Sequence, residues 1–239
     1  DCLTRSRLSF ALYRLPWTDE CYFVLQQSGD VEQLADIREL NKKKGFVMAP
    51  FLQSDHHPLI VIRPDITAYD WDEISEAISS LECADALLTC KNQTEKLSPF
   101  VSEETDKERY TQAFERFITP LQKKHFQKLV LSRSSTKHIN DDFSPLAAFV
   151  RACNNYPRMM IYLCHTPVSG TWVGSTPEIL LSGHGKEWHT VALAGTMPMQ
   201  NEVMPMDWDK KNQDEQGYVA DYIRRIIKKF GNKMNEKGP

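Results

Sequence analysis

Three short stretches carry side chains whose types and setting could do chemistry. The first is QKLVLSR, residues 127–133, where a lysine opens an apolar run of strand type. In an extended chain successive side chains alternate faces, so Lys128, Val130 and Ser132 share one side and Leu129, Leu131 and Arg133 the other. An amine turned toward the interior loses hydration and needs either a partner or a task, and proton transfer is the task a desolvated lysine can take. A lysine whose stem packs while its head reaches water gives the same pattern. The second stretch is STPEILLSG, in which Glu178 alternates with Leu180 at the head of another apolar run. It reads as an acid at a strand end or as half of a salt bridge. The third is VALAGT, whose small residues Ala192, Ala194, Gly195 and Thr196 permit close backbone approach to a ligand, as a glycine turn also would.

Other conspicuous residues carry less. Cys164 precedes His165, but neighbours on a strand point to opposite faces, so this histidine is badly placed to activate this thiol. SGHGKEW lacks the spacing of a phosphate-binding loop and links two strand-like runs, which predicts a hairpin. His56 and His57 have no companions at metal-ligand spacing. Six cysteines (Cys2, Cys21, Cys83, Cys90, Cys153, Cys164) form no framework and read as reduced thiols of a cytoplasmic protein. The opening DCLTRSRLSF holds no signal-peptide core, and no apolar stretch is long enough to span a bilayer. A net charge of −3 makes no electrostatic case for nucleic acid or an anionic membrane, so local charges must meet any anionic ligand.

The elements that must position these residues follow from periodicity. LSFALYRLP and CYFVLQQSG predict a hairpin, GFVMAPF and HPLIVIRP two further strands, and YDWDEISEAISSL a short helix. Tyr110, Phe114, Phe117, Ile118 and Leu121 predict a helix that Glu103 and Glu104 would favour at its start and that Pro120 should kink or end. Ser144 with Pro145 marks a further helix start. Strands return in RMMIYLCHT, TWVGST, PEILLSGHG and EWHTVALAGT, before a last amphipathic helix through DEQGYVADYIRRIIKKFG. With 41% apolar and 26% charged residues the chain is of ordinary globular composition. The fold class is α+β, a largely antiparallel sheet core with helices packed outside.

KLVLSR, TPEILL and VALAGT, in that order, together with KNQDEQGYVADYI, resemble the chorismate-utilising enzymes. This family includes isochorismate synthase, salicylate synthase, anthranilate synthase component I and aminodeoxychorismate synthase component I. The motifs cover Lys128 to Ile223. The resemblance implies a variable strand-rich part over residues 1–100 and the first part of the chorismate-binding catalytic domain over 101–239, intertwined as one domain. A lysine at 128, where ammonia-using relatives usually carry glutamine, and alanine at 194, where aminodeoxychorismate synthases carry lysine, resemble the water-adding isochorismate synthases. The implied roles are Lys128 as general base for water, Glu178 as general acid for the departing hydroxyl, Ala194, Gly195 and Thr196 as substrate contacts, and Glu215 as a ligand of Mg²⁺. The substrate would be chorismate, and the pathway menaquinone or siderophore biosynthesis. A salicylate synthase, or a non-catalytic scaffold module of the same descent, would carry the same motifs.

Two departures temper the likeness. TMPMQ stands where many relatives have arginine after AGT, and the chain stops at GNKMNEKGP, where relatives continue into a second metal-binding segment. The expectation is an N-terminal fragment with an incomplete C-terminal fold and exposed core surface that favours self-association. Residues 1–239 incubated with chorismate and Mg²⁺ should therefore give no isochorismate by product chromatography, and robust turnover would refute the fragment reading.

Overall fold

Alternation along the first two strands decides the layering. In β1 (Ser9–Arg14), Phe10 and Leu12 point one way and Ala11 and Tyr13 the other. In β2 (Cys21–Gln26), Phe23 and Leu25 join the first set and Val24 the second. Both faces are therefore apolar, so the sheet they seed must be covered twice. The computed structural model describes residues 2–27, 30–82, 103–140, 142–199, 203, 206–231 and 233–238. They fall into two units that interleave along the sequence, Asp1–Glu95 with Ile139–Pro177 and Lys96–His138 with Glu178–Pro239.

The first unit is built on the doubly covered sheet. β3 (Glu32–Leu34), β4 (Phe46–Met48) and β5 (Leu59–Ile62) form a three-stranded sheet with β5 central. β6 (Ile66–Tyr69), β7 (Met160–Thr166) and β8 (Gly170–Thr176) join β1 and β2 in a five-stranded antiparallel sheet, ordered β6-β2-β1-β7-β8. Helices α1 (Asp70–Glu82) and α3 (Pro145–Asn155) cover one face. There Ile74, Leu81 and Phe149 pack with Phe10, Leu12, Phe23, Leu25, Ile161 and Leu163. Ile60 and Ile62 of the smaller sheet cover the other, against Ala11, Val24 and Cys164. The α3 start matches its sequence signal, since the Ser144 hydroxyl accepts from the Ala147 N–H and Pro145 occupies the first turn. At the end of β1 the buried Arg14 guanidinium donates to the carbonyls of Thr18, Tyr156, Pro157 and Met159, which compensates a charge removed from water.

The second unit contains α2 (Glu103–Gln122), the hairpin β9–β10 (Ser182–His184 and Glu187–His189) and α4 (Lys210–Ile227). Gly185 takes φ +63° in the hairpin turn, as the sequence SGHGKEW demands. α2 continues two residues past Pro120. Among the described residues every buried apolar side chain belongs to the first unit.

The strands expected over 128–133, 178–181 and 191–196 are not formed: these segments lie outside every ladder. β-propensity reports that side chains suit a pleated surface, whereas a strand also needs a neighbour to bond. Val130 at 76% and Leu180 at 86% exposure belong to apolar runs without a covering layer. Sequence reading also missed β3 and β6, short strands of mixed polarity. The four described cysteines, Cys2, Cys21, Cys153 and Cys164, are free thiols. Cys83, Cys90, the polar stretch through Phe100 and the side chains of Glu103 and Glu104 lie outside the described residues. No described helix is long and apolar enough to cross a membrane.

Phe149 is completely buried between α3 and the sheet. Phe149→Ala should cost about 3–5 kcal/mol through lost burial and a residual cavity. Urea unfolding checks this, and a loss below about 1 kcal/mol would remove Phe149 from the core.

Candidate active site

Lys128 is placed by the way α2 ends. Lys124 takes φ +57°, a left-handed position more often filled by glycine, the His125 N–H donates to the Pro120 carbonyl at 2.9 Å, and the Lys124 N–H donates to Leu121 at 2.9 Å. This pair of bonds is a Schellman termination, which turns the chain back along its own helix. Arg133 then reaches Asp106, near the start of α2, at 3.5 Å. Eight residues of extended chain span about 26 Å and the helix from Asp106 to Lys124 rises about 27 Å, so the segment runs back along the whole of α2. Lys128 is carried in this returning segment.

Its amine meets α4. Lys128 Nζ donates to Glu215 Oε1 at 2.9 Å, with side chains 30% and 27% exposed. Lys211, one turn earlier on α4, approaches the other oxygen at 3.4 Å. The hydrogen bond from Lys128 is the main influence that holds the Glu215 carboxyl below its usual range, and Lys211 adds to it against a smaller opposing effect of burial. Asp214 turns away and pairs with Lys210, as expected for helix neighbours diverging by about 100°.

Ala192, Ala194 and Thr196 are also held by α4. Gln216 Nε2 donates to the Ala192 carbonyl at 2.7 Å, and the Ala194 N–H donates to Gln216 Oε1 at 3.0 Å. The Thr196 N–H donates to Asn212 Oδ1 at 3.1 Å. At Gly195 a Cβ would stand 2.9 Å from the Asn212 carbonyl oxygen, so the helix backbone lies directly against this residue. Asp209 caps α4. Its Oδ1 accepts from the Asn212 N–H at 2.8 Å and its Oδ2 from Asn212 Nδ2 at 2.9 Å, which lowers the Asp209 carboxyl.

Glu178 is exposed, in the segment just before β9. The next two carbonyls of that segment are bonded across the hairpin: the Thr190 hydroxyl donates to Leu180 at 2.8 Å and the Val191 N–H to Ile179 at 3.3 Å. Lys128, Glu215 and the 192–196 backbone thus gather on α4, and the strongest contact of Lys128 is Glu215, not Glu178.

Among the described residues no group of three or more His, Cys, Asp or Glu is placed to hold a metal. Glu215 offers a hard oxygen donor at a half-exposed position, and a cation there would have to displace the ammonium groups now engaging it. Sequence reading missed Lys211, Asn212 and Gln216. Their signal was the i, i+4 spacing of two amides in KKNQDEQ, which resembles any solvated helix face.

The family model for chorismate binding enzyme matches residues 39–238. No curated protein and no solved structure matches the chain.

The lowered Glu215 carboxyl makes a pH-dependent contribution with a definite sign. A depressed acid stabilises the fold above its ordinary titration range, and the contribution is lost as pH falls through the lowered value. Lys128→Met should return Glu215 toward the usual carboxylate range by NMR titration. Its effect on unfolding free energy should stay under about 1 kcal/mol, because the pair is partly solvated. An unmoved Glu215 titration would show that the amine at 128 is not what holds it down.

Proposed function

The chain belongs to the chorismate-binding enzyme family, and from that premise we propose that it is the isochorismate synthase type, which converts chorismate to isochorismate for menaquinone or siderophore biosynthesis. The observation that carries the reading is the 2.9 Å contact between Lys128 and Glu215, two motif residues 87 positions apart, beside the backbone of Ala194–Thr196. Lysine at 128 supports a water-adding member over the ammonia users, and alanine at 194 supports it over the members with a nucleophilic lysine there.

In this mechanism water attacks C2 of the ring, the double bonds shift, and the C4 hydroxyl leaves as water. Lys128 takes the proton of the attacking water and Glu178 gives one to the departing oxygen, so atoms and protons balance. Lys128 must leave Glu215 and give up a proton before it acts, because only the neutral amine has the lone pair that takes a proton from water. Glu178 must carry its proton when it acts, which a substrate that covers this exposed side chain would favour by desolvation. The Ala194, Gly195 and Thr196 segment contacts a substrate carboxylate through groups other than the Ala194 and Thr196 N–H, which α4 already holds.

Glu215 is the residue assigned to Mg²⁺. The donor fits, since magnesium takes oxygen ligands and needs only one or two protein carboxylates beside waters and substrate oxygens. Bound there, the ion would supply positive charge against the carboxylate toward which electrons move.

In the full-length protein, Lys128→Ala and Glu178→Gln should each lower kcat for isochorismate formation by about 10²- to 10⁴-fold while leaving circular dichroism unchanged. Unchanged turnover in Lys128→Ala would overturn the assignment.

A further inference from the structure

The two amides of α4 do what a neighbouring strand would do. In an extended chain the polar groups of residues 192, 194 and 196 face one edge, and all the bonds that α4 makes to this segment fall on them: the Ala192 carbonyl, the Ala194 N–H and the Thr196 N–H. The Gln216 amide offers a donor and an acceptor side by side, as a peptide group does. Asn212 continues the series one helical turn away. The repeats are nearly commensurate, because two strand residues advance about 6.8 Å and four helix residues about 6.0 Å. Direction agrees as well, since moving from 194 to 196 means moving from 216 back to 212.

The arrangement is anchored at its far end. Asn212 is 5% exposed, and its side-chain amide nitrogen donates to the Asp209 cap. Gly195 leaves no room for a side chain between segment and helix. Glu215 lies between the two amides in sequence and is directed to Lys128.

We propose that Asn212 and Gln216 are positioning residues that hold the Ala192–Thr196 backbone in place of a β-strand and thereby fix its separation from Glu215. The role rests on the reading of Ala194–Thr196 as substrate contacts. Neither amide touches substrate. Both act through the main chain they hold, so their loss weakens substrate binding more than the proton transfers at Lys128 and Glu178.

The test uses Gln216→Met, which keeps side-chain length and loses both hydrogen bonds, and Asn212→Ala, which releases only Thr196. In the full-length protein, Gln216→Met should speed hydrogen exchange at the Ala194 amide about tenfold or more and leave β1 and β7 amides unchanged. It should raise KM for chorismate about tenfold with kcat within about threefold, the effect of one lost hydrogen bond in ground-state binding. Asn212→Ala should speed exchange at the Thr196 amide and raise KM in the same sense. Wild-type KM in Gln216→Met would overturn the clamp, because packing alone would then suffice. So would wild-type exchange at Ala194. A full-length wild-type protein that makes no isochorismate would instead overturn the functional reading and take the positioning role with it.

Discussion

An extended backbone must bond its amides and carbonyls whether or not a strand lies beside it, and this requirement shapes the second unit. Along residues 179–196 polar groups are held by three different partners: the hairpin β9–β10, the cross-hairpin contacts of Thr190 and Val191, and the side-chain amides of α4. An amide side chain on a helix can substitute for a peptide only where the two repeats meet, which confines the substitution to a few residues. The short length of the clamped segment follows from that limit. So does its closeness to α4, since the bonds require the helix to approach the main chain where Gly195 gives it room.

Such an approach brings α4's own charges near the returning segment after α2. Lys128 arrives there because the helix ends in a left-handed residue and the chain doubles back, with Arg133 held by Asp106. Glu215 then sits between two ammonium groups. The three charges are partly solvated and sum to one positive charge, so the pairing adds little to stability. Its role is geometric: it ties the returning segment to the same helix that holds Ala194 and Thr196.

How much of this could be read from the sequence differs between the units. In the first, periodicity located α1, the Ser144–Pro145 start signal located α3, and alternation located the long strands, because both faces of the sheet are buried and the apolar pattern records that burial. β3 and β6 escaped because EQL and ITAY carry no apolar alternation long enough to register. In the second unit the same reasoning over-called. LVLS, EILL and VAL have strand composition, but composition reports fitness for a sheet and not the presence of a partner, and these runs stay outside any ladder. For the site, the likeness to a family marked Lys128 and Glu215 individually. Their contact was not legible, since it depends on the reversal at Lys124, where a lysine occupies a position that sequence rules reserve for glycine.

Asn212 and Gln216 show a further reason for partial legibility. Polar residues on a helix are usually solvated, so a pattern rule assigns them outward, and only the partner segment distinguishes a solvated amide from one that reads a backbone. Here the distinguishing feature is the run of small side chains at Ala192, Ala194, Gly195 and Thr196, which from the sequence alone reads as room for a ligand. On the α4 side that room is taken by the helix itself. A ligand of this segment must therefore approach from a direction that α4 does not occupy, and meet groups other than those the two amides hold.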